Sequence, residues 1–179
     1  MDAYDLVPSG LMKLIKHRFN QGIDHAGSEI GQPTNFFVGC ALNLRPVDLE
    51  REVKVLRRKI DNGADFAITQ PIFEPGKASS FLDEYSKRFG DLEIPILVGI
   101  LPLYSSRHGV FLDNEVPGIK VPDQTHLRIK NAGKKAHQEG IRIAAELIEE
   151  VKEWGQGIYI MPPFDRYDLA TEVIESILL

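Results

Sequence analysis

Gly63-Ala-Asp-Phe-Ala-Ile-Thr-Gln70-Pro71 reads as a helix exit, a short apolar strand and a polar amide at the strand's C-terminal end, stopped by proline. Gly63 suits the left-handed position that follows a helix. Phe66, Ala67, Ile68 and Thr69 form the run expected of a strand covered on both faces. Gln70 then stands where open α/β sheets and (β/α) barrels place ligand-binding side chains. An uncharged amide that both donates and accepts hydrogen bonds suits a neutral amide-like heterocycle better than a phosphate. The same residue could instead only tie down its own loop.

The pattern repeats on both sides of this stretch. Upstream, Pro8-Ser9 opens a helix through about Asn20, with Leu11, Leu14, Ile15 and Phe19 on one face. Residues 21–35 are rich in Gly, Asp, Ser, Gln and Pro and read as loop. Phe36-Phe-Val-Gly-Cys-Ala-Leu42 reads as a buried strand. Asp48 can cap the next helix, whose Leu49, Val53, Leu56 and Ile60 fall at helical spacing. Downstream, a helix from about Gly76 to Phe89 carries Phe81, Leu82, Tyr85 and Phe89 inward. Pro95-Ile-Leu-Val-Gly-Ile-Leu101 is the next strand, followed by a short helix near Ser105 to Asn114 with His108 on its exposed side. Pro117-Gly118 and Pro122 make residues 115–122 irregular. A helical region, broken around Gly133, reaches about Trp154. Gly157-Ile-Tyr-Ile-Met161 is the last strand, and Asp165 can cap a final helix carrying Tyr167, Leu169, Val173, Ile174 and Ile177.

This order is α/β: four consecutive βα units with parallel strands, preceded by one helix. Such strands also build (β/α)8 barrels, but 179 residues fall well short of the ~250 such a barrel typically uses. The units therefore form either an open sheet or half of a barrel. Ordinary apolar and charged fractions fit a single domain over 1–179.

A formal net charge of −5 argues against nucleic acid as the main partner. The single cysteine, Cys40, lies in an apolar run and reads as a buried thiol. The sequence shows no N-terminal apolar targeting segment and no long apolar span, so no membrane association and a cytoplasmic location are expected. The histidines show no metal-ligand spacing, and no Ser-His-Asp arrangement stands out.

Five segments occur together and in order: Asp48-Leu-Glu-Arg-Glu-Val53, Leu56 to Pro71, Val98-Gly-Ile-Leu-Pro102, Asn114-Glu-Val-Pro-Gly118 and Gly157 to Met161. Together they resemble the C-terminal half of the methylenetetrahydrofolate reductase barrel, closest to the reductase module of bifunctional homocysteine methyltransferase/methylenetetrahydrofolate reductase proteins. The resemblance implies the second half of a (β/α)8 TIM barrel, and so favours the half-barrel over the open sheet. It implies flavin-dependent reduction of 5,10-methylenetetrahydrofolate to 5-methyltetrahydrofolate, with FAD as cofactor and NAD(P)H as cosubstrate, in one-carbon and methionine metabolism.

The resemblance also assigns residues. Gln70 matches the glutamine that holds the folate pterin. Lys59 and Arg58 match basic residues that approach the FAD phosphates and ribityl chain, and Glu52 an acidic residue near the flavin's polar tail. Arg57, Arg58 and Lys59 are consecutive, so they cannot all point one way. Arg166 lines up with an arginine on the folate side, where it could meet glutamate carboxylates. Phe111 and Leu112 fall near an apolar residue that stacks on the folate aminobenzoate or the nicotinamide.

Two family features are absent from this sequence: a Phe-Glu-Phe-Phe-Pro-Pro-like strand whose glutamate is the general acid, and an Arg-Gly-Asp-like segment that touches the flavin. The catalytic acid is therefore unassigned here. Two function classes follow: a reductase, or the C-terminal half of one, and a non-catalytic folate- or flavin-binding half-barrel. A barrel acting on a phosphorylated substrate is weakened by the lack of a Gly-rich loop after the last two strands. Four strands cut from a closed barrel leave two edges and one face uncovered, so a homo-oligomer or a separate N-terminal half is the expected partner.

Overall fold

The computed structural model describes residues 6–178. Its strands are β1 (Gly39–Leu42), β2 (Phe66–Pro71), β3 (Ile96–Ile100) and β4 (Gly157–Ile160). They form one parallel sheet in the order β1-β2-β3-β4. Around them lie α1 (Pro8–His17), α2 (Leu49–Asp61), α3 (Pro75–Phe89), α4 (Ser106–Glu115), α5 (Asp123–Ala132), α6 (Ala136–Val151) and α7 (Tyr167–Leu178).

Local chemistry sets the boundaries. Asp48 caps α2 by accepting the Arg51 N–H at 2.9 Å, and Gly63 leaves that helix at φ +92°. Asp65 then ties three elements together. It accepts two bonds from Lys16 on α1, at 2.8 and 2.9 Å, and one from the Val38 N–H, at 2.6 Å. Ser105 caps α4 through the His108 N–H, and Gly133 separates α5 from α6 as the composition predicts.

The two faces of the sheet differ. Side chains at i, i+2 along a strand share a face. One set, including Cys40, Leu42, Ala67, Ile96, Val98 and Ile100, is buried among helix residues such as Val53, Leu56, Phe81, Tyr85, Ile148 and Leu169. The other set starts with Gly39, Ala41, Ile68 and Gln70, all exposed. A doubly wound open sheet carries helices on both faces. Cover on one face alone is the arrangement of a (βα)4 half-barrel, whose second face would line the barrel interior.

Several expectations change on this basis. The Gln70 strand is covered on one face, not two, and Ile68 is 39% exposed. The first strand begins at Gly39, not Phe36. Phe36 and Phe37 stay exposed, and Phe37 stacks on Phe66 at 5.2 Å at the open end of the inner face. On α1 it is Met12 that is buried, while Leu11 is exposed. Asp165 does not cap α7: it sits at φ +57° after Phe164 at φ +54°, in a tight reversal behind Pro162 and Pro163.

Candidate functional site

The β2–β3 ladder has one irregularity, and it falls at Gln70. Ile68 lies opposite Leu97 and Pro71 opposite Gly99, so β2 spends one residue more than β3 across this step. An extra residue of this kind is a β-bulge, a device that re-aims a side chain at barrel rims. The displaced backbone groups find side-chain partners. The Thr69 hydroxyl accepts the Gly99 N–H at 2.9 Å and donates to the Gln70 carbonyl at 2.7 Å. The Tyr159 hydroxyl, reaching across from β4, donates to the Thr69 carbonyl. Gly99 makes room for that reach, since a Cβ there would sit 3.0 Å from the Tyr159 hydroxyl and 3.0 Å from Met161 Cε. Burial pushes the Tyr159 phenol above its ordinary pKa, so it remains a donor at neutral pH.

Alternation along β2 carries Gln70 onto the inner face with Ile68, and the bulge lies beside it at the C-terminal rim. Gln70 borders an open concavity of about 570 Å³ walled by Ile68, Leu101, Leu112, Tyr159 and Met161. The walls are apolar, and the amide is a polar group that can fix a ligand's orientation. Its Nε2 donates to the Pro117 carbonyl at 3.2 Å, 47 residues away. Gln70 therefore touches a distant loop and not its own.

Lys59 and Glu52 border the same concavity from α2. The Lys59 side chain is only 13% exposed. It donates to the Ala41 carbonyl at 2.6 Å and lies 4.0 Å from the Glu52 carboxylate. The basic run splits as its spacing requires. Arg57 pairs with Asp61 and Glu93. Arg58 is exposed and borders a shallow surface with Asp48, Glu50, Arg51 and Lys54, apart from Lys59. Cys40 is buried, and burial raises its thiol pKa, so it is held as the protonated thiol.

Helix α4 divides two regions of the rim. Leu112 is buried in the wall beside Gln70, while Phe111 is exposed and faces a second concavity of about 390 Å³ with Tyr104, His108 and Phe164. Arg166 belongs to this second corner. Its guanidinium lies 5.1 Å from the Tyr104 ring and pairs with Asp168. His108 is buried here, contrary to its expected exposure. It accepts the Tyr104 N–H at Nδ1, 3.3 Å, and packs 5.0 Å from the Phe164 ring. Burial depresses its pKa, so the neutral imidazole is favoured.

Of the residues read from sequence, Gln70, Lys59, Glu52 and Leu112 come together, Phe111 and Arg166 meet at the second corner, and Arg58 joins neither. Sequence reasoning missed Tyr159, Met161 and the bulge-bracing role of Thr69. Strict alternation from Gly157 would have put Tyr159 and Met161 on one face; the bulge has no comparable sequence signal. No cluster of metal-ligating side chains occurs among the described residues, and no helix there is long and apolar enough to cross a membrane.

Fold and rim define a parallel half-barrel with an amide-bearing concavity on its inner face. The family model for methylenetetrahydrofolate reductase matches residues 9–177, and the chain belongs to that family. Methylenetetrahydrofolate reductase 2 of Saccharomyces cerevisiae is 26% identical over 151 residues, covering 81% of this chain and 23% of the yeast protein. Methylenetetrahydrofolate reductase 1 of Schizosaccharomyces pombe is 24% identical over 107 residues, covering 58% of this chain and 17% of that protein. The chain thus spans about a quarter or less of these relatives. An uncharacterised Clostridium thermocellum protein that binds two copies of 5-methyl-5,6,7,8-tetrahydrofolic acid shares the fold, with a TM-score of 0.62 and 21% identity over 78% of this chain and 52% of that one.

Proposed function

We propose that this chain is one half-barrel domain of a cytoplasmic, flavin-dependent methylenetetrahydrofolate reductase, supplying the part of the rim that binds tetrahydrofolate and the flavin's polar tail. The observation that carries this reading is the Gln70 amide, which sits beside the bulge at the rim and borders an apolar concavity on the inner face. A pterin edge presents a ring N–H, a carbonyl and an amino group. An amide complements that edge without burying a charge. Leu101, Leu112 and Met161 exclude water around the ring. Arg166 and Phe111, at the neighbouring corner, are assigned to the aminobenzoylglutamate tail. The Arg166–Asp168 pair is exposed, and such pairs are weak enough to be exchanged for a ligand carboxylate.

The fit to FAD rests on Lys59. A cation bordering the concavity, held by a carbonyl and an adjacent carboxylate, suits the donor needs of a flavin's polar tail. Lys59 and Glu52 would hold the cofactor there; Arg58, which borders a different surface, is left out. FAD, when bound, supplies hydride transfer between NAD(P)H and the folate. The residues of this chain orient the substrate and keep water out. Proton donation to the folate nitrogen falls to a group outside this chain, because the family's glutamate motif is absent from its sequence. The open edges of β1 and β4 fit completion by a further half-barrel, either a separate N-terminal half or a second copy.

The absence of that acid favours a second reading, a folate-binding half-barrel without turnover. Purified protein separates the two. A yellow protein that oxidises NAD(P)H with an acceptor supports the reductase. A colourless protein whose melting temperature rises with 5-methyltetrahydrofolate supports binding alone. On either reading, Gln70→Ala lowers folate affinity by about tenfold, the scale of one lost buried hydrogen-bonding partner, by calorimetric titration. Affinity equal to the parent's removes Gln70 from the site.

A further inference from the structure

The Pro117-Gly118 segment, irregular in sequence, is placed directly against Gln70. We infer that Asp113 is a positioning residue: it clamps residues 116–121 so that this segment fixes the direction of the Gln70 amide. The inference rests on the reading of Gln70 as a folate contact and adds a residue that reading does not use.

Asp113, on α4, is nearly buried and gathers three donors. It accepts the Val121 N–H at 2.7 Å, pairs with His126 Nε2 on α5 at 2.7 Å, and lies 3.3 Å from Lys120 Nζ. Burial works to raise its pKa. The Val121 N–H, His126 and Lys120 override that and hold the carboxyl below the ordinary carboxylate range. His126 is itself packed against Gly109, where an added Cβ would lie 3.0 Å from the ring. Both ends of the segment are thus fixed: α4 leads directly into it, and Val121 is pinned to Asp113.

The segment in turn grips the amide. Pro117 offers Gln70 only a carbonyl, an acceptor, so the end of the amide facing it must be the nitrogen. Gly118, at φ +85°, lies so close beneath Gln70 Oε1 that a Cβ there would collide with it. Val116 and Ile119 complete the apolar wall beside it. One Nε2 hydrogen is taken by Pro117, while the other hydrogen and the Oε1 lone pairs stay free. A donor and an acceptor are therefore presented side by side in a set direction. Preorganisation of this kind reduces the ordering a ligand must otherwise impose.

The test is a double-mutant cycle on the full chain, with 5-methyltetrahydrofolate as the probe. Asp113→Ala alone lowers affinity by about tenfold, within the usual range of coupled neighbours. In the Gln70→Ala background the same change has no further effect, because the clamp acts through the amide. Equal losses in both backgrounds overturn the inference and leave the folate reading standing. Folate affinity unchanged in Gln70→Ala sinks the folate reading instead. A second measurement needs no ligand. Asp113→Ala removes the acceptor for the Val121 N–H. It should move the Gln70 side-chain amide signals, identified by their loss in Gln70→Ala, to the position of a free amide in a nitrogen–proton correlation spectrum, while Asp113→Asn, which keeps that acceptor, leaves them near their parent position. Signals that stay in place in Asp113→Ala show that Asp113 does not position Gln70.

Discussion

The outer and inner faces of the same four strands obey different rules. On the outer face, Leu42, Ala67, Val98 and Ile100 are sealed under helices with almost no exposure. On the inner face, Ala41, Ile68 and Gln70 are open, and the polar contacts cluster at the C-terminal rim. Strand geometry alone turns alternate side chains to opposite faces, so adjacent residues such as Thr69 and Gln70 do different work. Stability of this chain resides in the outer face. The inner one is the face proposed to meet folate.

The sharpest break between the faces is predicted for Leu56→Ala against Ile68→Ala. Leu56 is fully buried on α2, and its truncation should cost about 2–5 kcal/mol in urea unfolding. Ile68 is partly exposed, and its truncation should cost less than about 1 kcal/mol. Comparable losses would mean that the inner face is a sealed core in solution, as in a closed assembly.

Tyr159→Phe tests the bulge at the rim. It strips the donor from the Thr69 carbonyl at the bulge, and should cost about 1 kcal/mol while leaving the sheet intact. A neutral result would show that water replaces the phenol and that the bulge needs no brace.

The smallest effect concerns pH. The folded-state pKa of His108 is depressed by burial, so at mildly acidic pH the unfolded chain binds a proton that the folded chain does not. Its contribution to stability is complete above the unfolded pKa of about 6.5 and is lost as pH falls below it, towards the folded value. His108→Gln should flatten the slope of unfolding free energy between pH 5 and about 7. An unchanged slope would place the titrating group elsewhere.

The sequence carried the order of elements because helix and strand periodicities are local. Gly63, Asp48 and Gly133 mark real boundaries for reasons each residue's chemistry supplies. Gln70 was legible from its place at a strand's C-terminal end, Lys59, Glu52 and Leu112 only through family resemblance, and their convergence from different elements was not legible at all. Three features escaped. Cover on one face looks like cover on two when short apolar strands are read one at a time. The bulge depends on pairing between β2 and β3, which no single segment reveals. His108 looked solvent-facing on its helix, but the left-handed turn at Phe164 folds an aromatic ring over it.

The most direct test of the central claim is a residue-level map of tetrahydrofolate binding by chemical-shift perturbation. The account predicts shifts concentrated at Gln70, Leu101, Leu112, Tyr159 and Met161, with the outer-face signals of Val53, Leu56 and Val98 unmoved. Shifts confined to the Tyr104 and Phe164 corner, or none at saturating ligand, would contradict it.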